Sequence, residues 1–389
     1  MVADKKIKIA INTWVLRNKK LDGIGYLTVN TIAKLIQQHP GVEFQILCDK
    51  GFTENYFNFP NVTKYKIFPA LRHPILYVFF MEVVVTWFLK KHKPDIFVST
   101  DGYLSLLSTV KQLPIICDIN FEHKPEDLPF RNRVYFLTFF NRFAKKAIRI
   151  ATISEYSKKD IANYYKIDIN KIDNISCGID SKFKPITNDE KKATKSKWTN
   201  EKEYFFFVGS MHPRKNIKRL IDAFHLFKQQ TKSDYKLVLG GSILWKASDI
   251  EEVYTSSPFK EDIIFTGRLS DADLQLVLGA AYSLTFPPIF EGFGLPIVEA
   301  FQTGVPVLCS NVSSMPEVAG SAALLFNPFN VEEIANAMKM IYNNEPLRQE
   351  LIAKGHQQKT LFSWDKTANL LWQSIEKAIK SANNIAIIE

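Results

Sequence analysis

No CxxC pair occurs among the four cysteines, Cys48, Cys117, Cys177 and Cys309, and each sits in or beside an apolar stretch. This predicts reduced, mostly buried thiols in a cytoplasmic protein rather than a disulfide framework. The first residues, MVADKKIKIAIN, lack the apolar core of a signal peptide. The longest apolar run, Ile75 to Leu89, contains Glu82 and Thr86. It falls short of the roughly 20 residues needed to cross a bilayer, so a buried helix is expected there. There is no short-period repeat and no nucleic-acid recognition motif. A pyridoxal-dependent phosphorylase would need a much longer chain and a lysine in a Schiff-base context, and neither is present.

What is present is a chain of 389 residues, enough for two or more domains, with thirty phenylalanines that must mostly be buried. Its formal charge of +10 favours anionic partners, whether nucleotides, nucleic acid or an anionic membrane surface, without choosing among them. Apolar strand patterns at 6–14, 43–49, 95–100, 114–119 and 149–154 alternate with helical ones. Such alternation argues for a parallel sheet covered on both faces. Lys184 to Glu203 is polar and charged and reads as the region of a domain boundary, with room for a short surface helix. Alternation then restarts, with strands at 204–210, 235–241, 262–267, 282–288, 305–310 and 323–328 and helices beginning near Asn216, Asp271, Pro296, Pro316 and Val331. The expected domains are 1–185 and 186–365, with 366–389 forming a helix that packs back toward the first domain. Two doubly wound domains in tandem face each other across a cleft at the carboxyl ends of their sheets.

The stretch FEGFGLPIVEAFQTGVPV, 290–307, carries the clearest chemistry. It reads as the glycine turn after a buried strand, then a short helix with Pro296 at its first position and Gly304 at its end. Gly292 and Gly294 permit close backbone approach, and a helix N-terminus offers amides and partial positive charge to a phosphate. Glu299, expected in the first turn, would accept bonds from a ribose diol. Glu291, on the loop, would meet a sugar, because two carboxylates beside a phosphate must contact neutral hydroxyls instead. The balancing charge comes from Arg214 and Lys215, on the loop that follows Gly209.

VGSMHPRKN, FTGRLSDADL and FPPIFEGFGLPIVEAFQTGVPVLCSNVSSMPEVAG resemble, in register over 204–328, the donor half of the retaining glycosyltransferases of family four. The likeness includes their glutamate, seven residues, glutamate signature. DGIGYLT, CDINFEHKPEDLP and ATISEYSKKDI extend it, more loosely, to the first half. The resemblance implies the α/β GT-B fold, with an acceptor-binding and a donor-binding Rossmann-like domain. It implies that Arg214 and Lys215 hold the phosphates of a UDP- or GDP-sugar, that Glu299 binds ribose, and that Glu291 meets the transferred sugar or the phosphates. Backbone amides around Phe293, Gly294 and Leu295 would contact sugar and diphosphate, and Gly267, Arg268 and Leu269 would flank the base. Gly209 and the Gly25 loop would complete the donor site. It also implies retention of anomeric configuration, with the β-phosphate taking the acceptor's proton.

Many family members carry a histidine where this chain has Cys117, and a thiol does not replace a neutral imidazole. Asp118 and His123 are the candidates for the vacated catalytic role, beside Glu291. The Asp271-x-Asp273 string is assigned to helix initiation behind Ser270, so no metal or other cofactor is expected. Residues 130–150 form a basic amphipathic helix with six basic residues and no acids. Its Phe-rich face suits either the core or an anionic membrane bearing a glycan or lipid-linked acceptor. The expected activity is hexosyl transfer in cell-surface polysaccharide or lipopolysaccharide synthesis, in the cytoplasm or peripherally on the inner membrane face. Alternatives are an epimerase or phosphorylase on the same fold, or a non-catalytic nucleotide-sugar-binding subunit.

Overall fold

The computed structural model describes residues 6–17, 21–48, 52–67, 74–242 and 248–381. The chain forms two compact units, 1–178 with 363–389, and 179–362. These boundaries lie a few residues before the expected ones. The chain leaves and re-enters the first unit at one point: a Cβ on Gly178 would lie 2.3 Å from the Trp364 backbone nitrogen. The polar run after 184 belongs to the second unit, where Thr187 and Glu190 form a capping box for a helix at Asn188–Thr199.

In unit 1, β1 (Lys8–Asn12), β2 (Glu43–Cys48), β3 (Val62–Lys66), β4 (Ile96–Ser99) and β5 (Gln112–Pro114) form a parallel sheet in the order β3-β2-β1-β4-β5. β6 (Ile150–Thr152) and β7 (Ile172–Asn174) pair beside it, joined to its edge by a bridge from Ile115 to Ala151. The strand expected over 114–119 therefore ends early, and residues 116–119 lie beyond the sheet. β3 escaped the sequence reading because it is an edge strand of mixed exposure, VTKYK.

The run from Ile75 to Leu89 is helical but not wholly buried. A helix at Pro74–Phe79 continues as a π-helical stretch, Phe80–Val85, and then as Thr86–His92. Phe80, Met81, Val85, Phe88 and Leu89 are buried, while Phe79, Val83 and Trp87 stay half exposed. Glu82 is accounted for: it accepts the N–H groups of Leu106 at 2.8 Å and Leu107 at 2.9 Å. The helix Phe130–Lys146 buries Tyr135, Phe140 and Phe143 and leaves Arg131, Arg142 and Lys145 in solvent. Leu137, which its periodicity assigns to the apolar face, is exposed. The closing helix, Trp364–Lys380, packs on the helix Gly23–Gln38 and is pinned by Asp173, which accepts from Arg149, Ser374 and Lys377.

In unit 2, β8 (Tyr204–Val208), β9 (Lys236–Gly240), β10 (Ile263–Gly267), β11 (Ser283–Phe286), β12 (Val307–Ser310) and β13 (Ala323–Phe326) form a second parallel sheet, ordered β10-β9-β8-β11-β12-β13. Phe205, Phe206 and Phe207 on β8 have no exposed surface, as a strand covered on both faces requires.

Candidate active site

The strand order of unit 2 reverses direction between β8 and β11. Ligands of such sheets bind outside the carboxyl ends of the strands at this switch point. The two loops that leave these strands meet there. The Ile289 N–H donates to Arg214 O at 2.8 Å, and Asn216 Nδ2 to Pro287 O at 3.0 Å. Gly209 leaves β8 at φ +155°, and the Cβ it lacks would lie 3.4 Å from Lys215 Cε. A short 3-10 turn, Pro213–Lys215, then aims two cations at the loop after β11.

Arg214 Nη1 donates to Glu291 Oε1 at 2.7 Å and to Phe290 O at 2.9 Å, and Lys215 Nζ bonds the same carboxylate oxygen. Lys215 is buried, its ammonium 5.2 Å from the Phe286 ring centroid. Burial pushes the Glu291 carboxyl upward, but Arg214 and Lys215 outweigh it and hold it below the ordinary carboxylate value. Two cations and one carboxylate leave the cluster with a single net positive charge. Ser314 Oγ donates to the carbonyls of Glu291 and Phe293, each at 2.9 Å, and fixes the loop. Gly294, at φ +104°, turns the chain into the helix Leu295–Thr303, with Pro296 in its first turn. The positive end of that helix lies just after the cation cluster in the chain.

Glu299 lies one residue further along than expected, because the helix begins at Leu295 and Pro296 is its second residue rather than its first. Burial, aided by Asp180 and Asp271 and opposed by Lys182, raises its carboxyl to about 7. Near neutral pH it can donate as well as accept, which suits a diol. Gly267 has φ +66° and ends β10 with Arg268 exposed beside it, while Leu269 lies near Gly240. These three residues share the carboxyl edge of the sheet with Gly209. Ser270 caps the helix Asp271–Gly279 by accepting from the Asp273 N–H, and Lys182 and Lys197 pair with Asp271 and Asp273.

Unit 1 has its own switch point, between β1 and β4. A cavity of about 330 Å³ opens there, lined among others by Trp14, Arg17, Asp22, Asp101, Cys117 and Asp118. Asp22 caps the helix Gly23–Gln38 by accepting from the Gly25 N–H at 2.9 Å, so Gly25 belongs to the first helical turn and not to a loop. Asp118 accepts from the Asn120 N–H at 3.0 Å. Burial, with Asp118, Asp22 and Asp101 adding to it, pushes the Cys117 thiol far up, so it stays neutral. His123 faces elsewhere: its Nε2 lies 2.9 Å from both carboxylate oxygens of Asp160, on the helix Glu155–Tyr165.

Two family models match consecutive parts of the chain: "Glycosyltransferase Family 4" over residues 21–183 and "Glycosyl transferases group 1" over 188–358. The chain belongs to the group 1 glycosyltransferases. It is 29% identical over 280 residues to O-antigen chain mannosyltransferase B of Escherichia coli, covering 72% of this chain and 73% of that protein. It is 31% identical over 252 residues to the serotype-specific mannosyltransferase WbdA of Escherichia coli, covering 63% of this chain but only 31% of that protein. Its fold is GT-B. A structure of Anabaena Alr3699/HepE in complex with UDP and glucose superposes with a TM-score of 0.75 at 16% identity, covering 95% of this chain and 100% of that one.

Within this glycosyltransferase the structure brings Arg214, Lys215 and Glu291 into direct contact, with Gly209 and the Phe293–Leu295 turn around them. It ties His123 to the largely buried carboxylate of Asp160, while Asp118 and the cap of Gly25 border the unit 1 cavity. Sequence reasoning missed Trp14 and Asp101. The available signal was position: each follows directly after a strand, in KIAINTW and IFVSTD, at the edge where ligands bind.

Proposed function

We propose that the protein is a retaining hexosyltransferase that uses a UDP- or GDP-sugar to extend a glycan or lipid-linked acceptor of a cell-surface polysaccharide or lipopolysaccharide. The observation that carries this reading is the Arg214–Lys215–Glu291 cluster at the switch point of unit 2. Its net positive charge and the adjoining helix N-terminus suit a diphosphate, and the names of the two mannosyltransferase relatives favour mannose as the transferred sugar. The bond from the anomeric carbon to the β-phosphate oxygen breaks, and its electron pair leaves with the nucleoside diphosphate. The acceptor oxygen bonds to the same face of the anomeric carbon, and its proton passes to the β-phosphate. Arg214, Lys215 and the helix dipole stabilise the leaving charge, so a divalent ion is not required.

Glu291 sets the position of both cations, and Glu299 in its protonated or ionised form engages the ribose hydroxyls. Asp118 is the unit 1 candidate for contact with the reacting sugar or acceptor, whereas His123 is held by Asp160 and does not line that cavity. Unit 1 also carries the membrane-facing surface. On the helix 130–146 the exposed Phe130, Val134 and Leu137 lie among Arg131, Arg142 and Lys145, which suits an anionic leaflet.

The test is release of nucleoside diphosphate from GDP-mannose, UDP-glucose and UDP-galactose, with lipid-linked glycan acceptors, in the presence of EDTA. We expect acceptor-dependent release with one donor and an α-linked product from an α-linked donor. Lys215→Ala should weaken nucleoside-diphosphate binding at least about tenfold, the size of one charge-assisted hydrogen bond, while the folded state persists. Full donor affinity in that variant overturns the site.

A further inference from the structure

The cavity of unit 1 has a chemistry unlike the rest of the molecule. The chain as a whole is strongly basic, yet the charged residues lining this cavity are Asp22, Asp101, Asp118 and Arg17, three carboxylates against one guanidinium. The remaining wall is largely aromatic. Trp14 meets Tyr77 edge-on with ring centroids 5.0 Å apart and lies 6.0 Å from Tyr103, and Arg17 covers the Trp14 ring at 4.9 Å. The carboxylates are held in place. Asp22 and Asp118 are fixed by the backbone amides they accept from, and Asp101 accepts from Asn12 Nδ2 at 3.0 Å and Ser99 Oγ at 2.8 Å. All of this stands where the strand order of the sheet reverses, the place where α/β sheets take their ligands.

An aromatic wall receives the C–H face of a sugar ring. Carboxylates accept from hydroxyls, which are donors as well as acceptors, and they repel other anions. We infer that this cavity seats an uncharged pyranose, the terminal sugar of the acceptor, and that its negative wall, with Asp101 at the end of β4, discriminates against acceptors ending in a uronic acid or a sugar phosphate. This rests on the proposed transferase reading and names the acceptor class for it. The general basicity of the chain points the other way, toward anions, so the local arrangement is what decides.

The test uses saturation-transfer NMR on the full chain in the presence of excess nucleoside diphosphate, with the methyl α-pyranosides of mannose and glucose and the methyl α-glycoside of glucuronic acid as probes. Neutral glycosides should bind, and the uronide should bind about tenfold more weakly or worse, the scale of one unfavourable charge contact at short range. Asp101→Asn, which keeps the shape of the side chain, should narrow that gap severalfold without changing nucleoside-diphosphate affinity by calorimetry. Equal binding of uronide and neutral glycosides to the wild-type protein overturns the inference, and that comparison needs no variant to fold. Absence of any glycoside signal overturns it too, as does displacement of the glycosides by a nucleotide sugar, which would assign the cavity to the donor's own sugar. If instead the nucleoside diphosphate itself fails to bind in calorimetry, the donor reading of unit 2 fails, whatever the glycosides do.

Discussion

At the scale of single residues, the informative pair is Glu291 and Glu299, two carboxylates that their surroundings push apart. Glu291 is held ionised by Arg214 and Lys215, whereas Glu299 is held back from ionising by burial. Glutamine at 291 would leave Lys215 buried beside a neutral partner. Breaking a buried ion pair from one side costs about 3–5 kcal/mol, here reduced because one carboxylate is shared by two cations. We therefore expect Glu291→Gln to lower the urea midpoint clearly and to reduce kcat more than it raises the donor KM.

The pH dependence has opposite signs at the two sites. The depressed Glu291 contributes stability that is present above the ordinary carboxyl pKa and is lost as the pH falls through its folded value. The raised Glu299 binds its proton more tightly in the folded state, so stability declines as the pH rises from the ordinary glutamate range, about 4.3, toward about 7. Glu299→Gln resembles the protonated form and should flatten that decline, a change on the order of 1–3 kcal/mol in denaturation midpoints followed from pH 4.5 to 7.5. A slope equal to that of the wild-type protein would show that Glu299 ionises as freely as an exposed carboxylate. The spacing of the two acids around a glycine turn was legible in the sequence. The pairing of Glu291 with Arg214 and Lys215 was not, because it depends on two loops 76 residues apart in the chain meeting at adjacent strand ends.

At the scale of elements, buried parallel strands were the easiest to read. YFFFV and VLCS are apolar throughout because both faces are covered, and each was found. Two were missed: β3 is an edge strand of mixed exposure, and β7, IDN, is short and mostly polar. The apolar run 75–89 misled for a related reason. A continuous apolar stretch carries no periodic signal to say which face is buried, and here the π-helical stretch at Phe80–Val85 shifts the register of the face part-way along. The donor-side turn is more constrained. Gly294 has φ +104°, and an added Cβ would lie 3.1 Å from Ile297 Cδ1. Alanine there should cost about 1–3 kcal/mol and displace the start of the helix Leu295–Thr303. Thermal denaturation checks the first effect, and nucleoside-diphosphate affinity the second. An alanine variant that keeps both would mean that the turn can relax without disturbing the site.

At the scale of the whole molecule, charge and exposed apolar surface are unevenly distributed. No described helix is long and apolar enough to cross a membrane. Yet unit 1 exposes Phe79, Val83 and Trp87 along one helix and Phe130, Val134 and Leu137 along another, and these two helices touch through Tyr77 and Tyr135. Lys90 and Lys91 are exposed beside the first stripe, with Lys91 Nζ 4.8 Å over the Trp87 ring, and Arg131, Arg142 and Lys145 flank the second. A tryptophan with lysines at the edge of an apolar stripe suits the headgroup layer, where each basic residue contributes about 1 kcal/mol to attraction by anionic lipid. We therefore expect the protein to sediment with vesicles containing phosphatidylglycerol and to remain in the supernatant with pure phosphatidylcholine. Arg142→Glu with Lys145→Glu should weaken the association and its salt dependence together. Trp87→Ser with Phe79→Ser should weaken it even at low salt, because these residues supply the apolar rather than the electrostatic part. Binding to neutral and anionic vesicles alike would assign the attachment to apolar contact alone, and indifference to both double variants would remove these two helices from the docking surface.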